Sequence, residues 1–315
     1  MLTPKPRGTL SAEVFARIHS DTSLDGLQDL RPDGVDDEQI VLWAAYELHY
    51  QGFEDVADHW EWDPGLIGVR RRLEQDFEGR LAQRLAVVEP GDEPIATLTE
   101  LVEGHEGPSL ARHVQRSATV EQVRELLAHR SVYHLKESDP QTWVVPRLDV
   151  AGRAALVELQ YDEYGGGDPS RLHAGLFARA LQAAGIPSEY GWFVNEAPVE
   201  ILEMNNAMSL FGLHRRLRGA ALGHLAAFEM TSSLPSRWMA QGLRRLGFPE
   251  ETAEYYDEHV VADAVHEQLV LRSICGPLLG RTPALVGQVL HGAQTCLDLE
   301  DRYARRMLTQ WGESA

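Results

Sequence analysis

The stretch HVVADAVH, residues 259–266, places three potential metal ligands at offsets of 0, 4 and 7 residues. On a helix of about 3.6 residues per turn, these positions point in directions of about 0°, 40° and −20°. His259, Asp263 and His266 therefore share one helical face. Two imidazoles and a carboxylate on one face suit a first-row transition metal such as iron. A surface helix with scattered polar residues would give the same pattern about equally often.

The neighbours of this triplet weigh against a purely solvated face, because they are all small and apolar: Val260, Val261, Ala262, Ala264 and Val265. A buried aspartate between two histidines needs a compensating charge, which a divalent cation supplies. We therefore predict one uninterrupted helix over residues 259–266 that carries a metal site.

The rest of the chain is dominated by helical patterns. Residues 36–53, DDEQIVLWAAYELHYQGF, place Glu47 among apolar residues on one side of a helix. Pro64 opens a second helix, EPIATLTELVE (residues 93–103) forms a third, and TVEQ from Thr119 is a capping box that begins a fourth. The run TWVVPRL is β-like, but its proline favours an extended connection.

Further helices follow towards the C-terminus. Residues 151–185 indicate two helices split by Gly165 to Gly167, the second with Asp168 as N-cap and Pro169 at its first position. Residues 199–230 indicate one helix of about seven turns. The prediction is an all-α protein of eight to ten helices. We expect residues 1–35 to be a loosely attached arm and residues 36–315 to form a single helical domain.

Composition narrows the choice of partners and of compartment. The chain has 315 residues and a formal net charge of −19, from 48 acidic and 29 basic side chains. Such a charge repels nucleic acid and anionic membrane surfaces. Two cysteines, no hydrophobic leader and no apolar run of about 18 residues predict a cytoplasmic protein.

A ferritin-like di-iron site is disfavoured. Such bundles use a Glu-x-x-His pair on each of two helices. None of the 13 histidines has a glutamate three residues before it, and only His266 has a carboxylate there, that of Asp263.

The triplet instead resembles the haem-oxygenase-like di-iron oxidases, also called iron-containing redox enzymes, whose signature is His-x3-Asp-x2-His on a late core helix. The resemblance spans about residues 115 to 275 for the ligand-bearing core. It implies a haem-oxygenase-like helical bundle, here with additional N-terminal helices, that binds two Fe(II) ions and uses O2. The family also takes a glutamate from an early helix, a glutamate and a histidine from the next, and a glutamate from the helix before the triplet. In this chain the matching residues are Glu137, Glu163, His173 and Glu229.

Three further residues are candidates near the site. Glu158, five residues before Glu163, is the substitute if Glu163 points elsewhere. Glu47 is more simply a buried, hydrogen-bonded glutamate than an eighth polar group at the metals. Arg218 lies eleven residues before Glu229, about three helical turns, so we predict that its guanidinium binds a substrate carboxylate beside the metals. A salt bridge to an acidic residue is the alternative for Arg218.

The resemblance implies an O2-dependent non-haem di-iron oxidoreductase. Its expected substrate is a small amine- or carboxylate-bearing metabolite that undergoes N-hydroxylation, C–C cleavage or desaturation. It leaves open whether manganese replaces one iron, and it leaves room for an external electron donor and a homodimer. Two alternatives keep the helices: a metal-free enzyme similar to thiaminases or quinone-cofactor synthases, and a non-enzymatic helical binding protein.

Overall fold

The computed structural model describes residues 1–313, apart from the side chains of Gln28 and Ala264, and this part of the chain contains no strand. The all-α prediction is confirmed. The α-helices are α1 Thr9–His19, α2 Val35–Glu47, α3 Pro64–Arg84, α4 Pro94–Glu103, α5 Leu110–Arg116, α6 Val120–His134, α7 Asp139–Thr142, α8 Val150–Glu163, α9 His173–Ala183, α10 Val199–Leu213, α11 Arg218–Met230, α12 Ser233–Arg245, α13 Glu250–Gln268, α14 Gly276–Arg281 and α15 Val286–Gln310. A π-helical segment, Leu269–Cys275, joins α13 to α14.

Local signals set several helix starts as predicted. Asp63 caps α3 by accepting a hydrogen bond from the Leu66 amide (2.9 Å), with Pro64 as the first helical residue. The capping box of α6 is complete, because Thr119 Oγ1 accepts from the Gln122 amide and Gln122 Oε1 accepts from the Thr119 amide. These contacts satisfy amide groups that have no partner within the helix.

Three local predictions were wrong. Asp168 does not cap α9, which begins five residues later at His173; its Oδ1 instead accepts hydrogen bonds from the amide and hydroxyl of Ser170. The predicted seven-turn helix is broken at His214 into α10 and α11, since both helices pack against α15 and one straight helix would not bring both there. Residues Val145–Arg147 form a 3₁₀ turn rather than an extended connection.

The N-terminal segment is not a loosely attached arm. Leu10, Val14 and Ile18 in α1 are each no more than 4% exposed and belong to the main hydrophobic cluster, together with residues of α2, α3, α6, α10 and α15. The Asp37 carboxylate accepts hydrogen bonds from the Leu10 and Ser11 amides. The sequence signal for burial, apolar residues four apart on one face of α1, was present but short.

A second hydrophobic cluster joins α8, α11, α15 and the π-helical segment. The site described below lies where these helices meet α6, α9 and α13. Helix α13 contacts α9, α11 and α12, and α8 contacts the π-helical segment. Within residues 1–313, no single helix is both long and apolar enough to cross a membrane; one bent pair, Glu250–Arg281 with Pro283–Gln310, passes on length and composition alone.

Candidate metal centre

Seven buried carboxylate and imidazole side chains converge from five segments of the chain. Most of them sit at the ends of helices. Glu163 is the last residue of α8, His173 is the first of α9, and Glu229 lies in the last turn of α11. Glu137 lies in the turn between α6 and α7, and α13 carries the other three without a break. Each is at most 6% exposed: Glu137, Glu163, His173, Glu229, His259, Asp263 and His266.

The first half of the cluster is formed by four residues whose ligand atoms all lie within 4.8 Å of one another: Glu137, Glu163, His173 and His259. His173 Nδ1 is 3.1 Å from Glu163 Oε2, and His259 Nε2 is 3.6 Å from Glu137 Oε2. Two carboxylates and two imidazoles at this spacing could together hold one divalent cation.

The second half shares Glu163 with the first. Glu163, Glu229 and His266 also place ligand atoms within 4.8 Å of one another. His266 Nδ1 is 3.3 Å from Glu163 Oε1 and 3.3 Å from Glu229 Oε2. Asp263 borders this group, with Oδ1 3.9 Å from His266 Nδ1. The two oxygens of Glu163 therefore face the two halves separately, as a bridging carboxylate would.

Four buried atoms in the cluster have no hydrogen-bond partner among residues 1–313: His173 Nδ1, His259 Nε2, His266 Nδ1 and Asp263 Oδ2. Buried polar atoms are normally paired, so such a group points to an absent ligand. Contacts on the outer nitrogens favour lone pairs that face the cluster. His259 Nδ1 lies 2.7 Å from the Tyr255 carbonyl, and His266 Nε2 lies 2.9 Å from Asp162 Oδ2. The arrangement therefore fits ferrous ions, which accept imidazole and carboxylate donors.

The protonation equilibria of the empty cluster are strongly displaced. Burial, and then the Glu229 charge, raises the pKa of Asp263 to about 8. Burial opposes charge on His259, but Glu137 outweighs it and raises the pKa of this imidazole to about 10. Burial likewise opposes charge on His266, yet Glu229 raises its pKa to about 9. Protons therefore provide part of the charge compensation that a bound cation would supply.

The apolar neighbours in the triplet do not bury it. Val261 and Val265 are 71% and 64% exposed, whereas His259, Asp263 and His266 are at most 6% exposed. The polar face of α13 thus faces the protein interior and part of its apolar side faces outwards. This reversal is what a helix shows when its polar residues serve a buried site.

The alternative residues separate clearly. Glu158 is exposed, so Glu163 is the glutamate of α8 that reaches the cluster. Glu47 is fully buried, but it accepts hydrogen bonds from Lys136 Nζ at 3.1 Å and from the Tyr190 hydroxyl at 2.8 Å. It is therefore the buried, hydrogen-bonded glutamate that was favoured over an eighth polar group at the cluster.

The structure corrects the prediction for Arg218. This residue begins α11, and its guanidinium donates to the Arg215 carbonyl at 3.2 Å. Eleven residues of helix separate it from Glu229 by about 16 Å along the axis. The two residues share a helical face, but they lie at opposite ends of the helix.

Two contacts around the cluster were not predicted from the sequence. Asp162 holds the outer nitrogen of His266, and its only signal was its position beside Glu163. His134 Nδ1 lies 3.0 Å from Glu137 Oε1 and 2.6 Å from the Tyr255 hydroxyl, which itself donates to Glu137. The spacing of His134 and Glu137, His-x-x-Glu, is the reverse of the motif that was sought.

Fold and site together define an all-helical protein with a buried carboxylate–histidine cluster suited to metal. The profile of the iron-containing redox enzyme family matches residues 124–301, a segment that contains all seven residues of the cluster. The chain belongs to this family. No match was found among curated proteins.

Proposed function

We propose that this protein is a non-haem di-iron oxidase or oxygenase that uses O2 to oxidise a small amine- or carboxylate-bearing metabolite. N-hydroxylation, C–C cleavage and desaturation are the candidate reactions. The observation that carries the proposal is the set of four unpaired buried atoms around the shared Glu163. Family membership supports iron as the metal.

The seven side chains divide into two sets of ligands. Glu137, His173 and His259 would hold one iron, Glu229 and His266 would hold the other with Asp263 beside it, and Glu163 would bridge them. When bound, two ferrous ions supply the electrons for reductive activation of O2. The four carboxylates carry four negative charges and two ferrous ions carry four positive ones, so the filled site is formally neutral.

The two ions are expected to bind unequally. Four ligand residues are preassembled for the first ion and three for the second, since Asp263 is more distant. The second ion must therefore draw in a carboxylate that has taken up a proton, and this lowers its affinity. An anaerobic ferrous titration should show two steps, with the weaker step sensitive to Asp263→Asn.

A metal-free enzyme and a binding protein are both less consistent with this interior. Either would leave four buried polar atoms unpaired, at a cost of about 1–3 kcal/mol for each atom. It would also leave four carboxylates in one cavity without a use.

Metal analysis tests the proposal directly. Protein produced in iron-rich medium and reconstituted anaerobically should hold two irons per chain and consume O2 when air is admitted. Manganese competition in the same preparation tests whether one iron is replaceable. A chain that takes up neither metal under these conditions would refute the proposal. Cytoplasmic location, an external electron donor and a homodimer stay predictions.

A further inference from the structure

A cavity of about 340 Å³ lies beside the metal cluster, between α6, α15, the α11–α12 junction and the loop before α5. This volume is within the range of about 300–1,000 Å³ that is usual for small-molecule sites. Leu126, Arg130 and His134 line it from α6 at four-residue spacing. The cavity therefore follows about 12 Å of that helix.

The inner end of the cavity lies next to the cluster. His134 forms part of the wall, and its Nδ1 is 3.0 Å from Glu137 Oε1. Phe228 and Tyr256 also line the cavity and directly adjoin Glu229 and Tyr255 in the chain. A molecule in the cavity is thus separated from the cluster by a single layer of side chains.

An ion pair lies in the cavity wall one turn of α6 away from His134. Arg130 donates from both Nη atoms to the two oxygens of Glu300, at 2.7 and 2.6 Å. The Glu300 side chain is 34% exposed and that of Arg130 20%, and both residues line the cavity. A carboxylate can accept about four hydrogen bonds, so Glu300 retains capacity for a further donor. The Arg130 guanidinium is also covered by the Tyr303 ring, 5.0 Å from its centroid.

The charged side chains of the wall favour a cation. Arg130 contributes one positive charge, whereas Glu300 and Asp301 contribute two negative charges, which leaves one negative charge in excess when the histidines are neutral. The net charge of −19 adds a long-range attraction for cations. Most of the remaining wall is apolar, with side chains that include Leu110, Ala111, Met239, Leu297 and Ala304.

We propose that this cavity binds the substrate, and that the substrate is a primary amine with an apolar body. Its ammonium group hydrogen-bonds to Glu300, and its body extends along α6 towards His134 and the metal cluster. This inference rests on the proposed function and narrows the amine-or-carboxylate alternative to the amine.

Binding of three isosteric probes tests the assignment without turnover. Hexylamine, hexanoate and hexan-1-ol are titrated calorimetrically into the full chain, both metal-free and loaded with ferrous iron under anaerobic conditions. Hexylamine should bind at least tenfold more tightly than the other two. Glu300→Gln should remove this preference, whereas Glu189→Gln, the same change at an exposed site, should retain it.

A cavity-filling variant locates the binding. Ala304→Phe should abolish hexylamine binding, and Ala111→Phe from the opposite wall serves the same purpose if the first variant fails to fold. Equal or tighter binding of hexanoate, or hexylamine binding that survives a folded cavity-filling variant, would overturn the proposal. Iron content is measured on the same samples. Two bound irons without amine binding overturn the cavity assignment alone, whereas amine binding without iron uptake overturns the di-iron function on which it rests.

Discussion

Glu47 and Glu137 are both buried, and Lys136 connects their surroundings, yet they lie in opposite kinds of polar interior. Glu47 is paired entirely within the protein, by the Lys136 ammonium and the Tyr190 hydroxyl. Glu137 belongs to a cluster in which three imidazole nitrogens and one carboxylate oxygen lack hydrogen-bond partners among the described residues. Because a buried polar group is costly unless it is paired, the first arrangement is complete and the second requires a cation.

The comparison shows that burial of a carboxylate does not by itself mark a metal site. The pair formed by Glu47 and Lys136 is electrically neutral without any ligand. The cluster has four carboxylates, and burial together with Glu229 raises the pKa of Asp263 to about 8. Unpaired donor atoms and excess negative charge, considered together, distinguish a ligand site from a structural ion pair.

The sharpest test is to remove one residue from each region. His266→Ala should reduce bound iron from two ions to one or none and lower O2 consumption to background, with a modest change in the stability of the metal-free protein. Glu47→Ala should retain iron binding but cost about 3–5 kcal/mol of unfolding free energy, since it leaves the Lys136 ammonium buried and unpaired. Iron analysis, oxygen-electrode assays and urea unfolding measure these effects. If His266→Ala keeps two tightly bound irons and normal O2 consumption, the ligand assignment must be abandoned.

Metal and pH should act in opposite directions on the cluster. In the metal-free protein, the pKa values of His259 and His266 are raised to about 10 and 9. Their stabilisation is therefore complete below the unfolded value of about 6.5 and is lost as the pH rises towards 9–10. The raised pKa of Asp263 acts in the same direction between about pH 4 and 8.

The metal-free chain should therefore unfold at lower urea concentration at pH 9 than at pH 6. Ferrous affinity should instead rise over this range, because the ligands bind metal in their deprotonated forms. Anaerobic unfolding curves with and without ferrous iron provide the check. A metal-free protein that gains stability between pH 6 and 9 would contradict the assigned charge balance.

The contact between Asp162 and His266 should affect one ion selectively. Asp162→Ala is expected to weaken the second iron by about 10–100-fold, because the carboxylate orients the imidazole and increases its basicity. Asp162→Asn should have an intermediate effect, since its amide oxygen still accepts a hydrogen bond. Competition titrations that resolve the two ions measure this, with Glu158→Gln on the same helix as the matched control. A uniform loss of both ions would indicate a purely structural role for Asp162.

The smallest expected effect comes from the turn between Glu163 and His173. Gly165 and Gly167 have φ values of +69° and +83°, so alanine at either position costs about 1–2 kcal/mol. At Gly165 a Cβ atom would also come within 2.6 Å of the Arg171 and Leu172 backbone, whereas at Gly167 the nearest atom is 3.9 Å away. Gly165→Ala should therefore displace His173 and weaken the first iron several-fold, while Gly167→Ala should lower stability alone. Equal iron affinities in the two variants would show that the turn does not position His173.

The sequence by itself determined the features that depend on local spacing. The helical period places His259, Asp263 and His266 on one face of α13, and the cap at Thr119 and Pro64 at the first position of α3 set the starts of their helices. Family resemblance added Glu137, Glu163, His173 and Glu229, which the structure brings to the same cluster.

Only the tertiary structure decided which groups meet across helices. Periodicity fixes the direction of a side chain around its own helix axis, but it contains no information on the distance to another helix. Arg218 and Glu229 therefore share a face without sharing a site, and Asp162 reaches His266 although 104 residues separate them. The break at His214 and the burial of α1 depend likewise on what each helix packs against, which is decided by the whole chain.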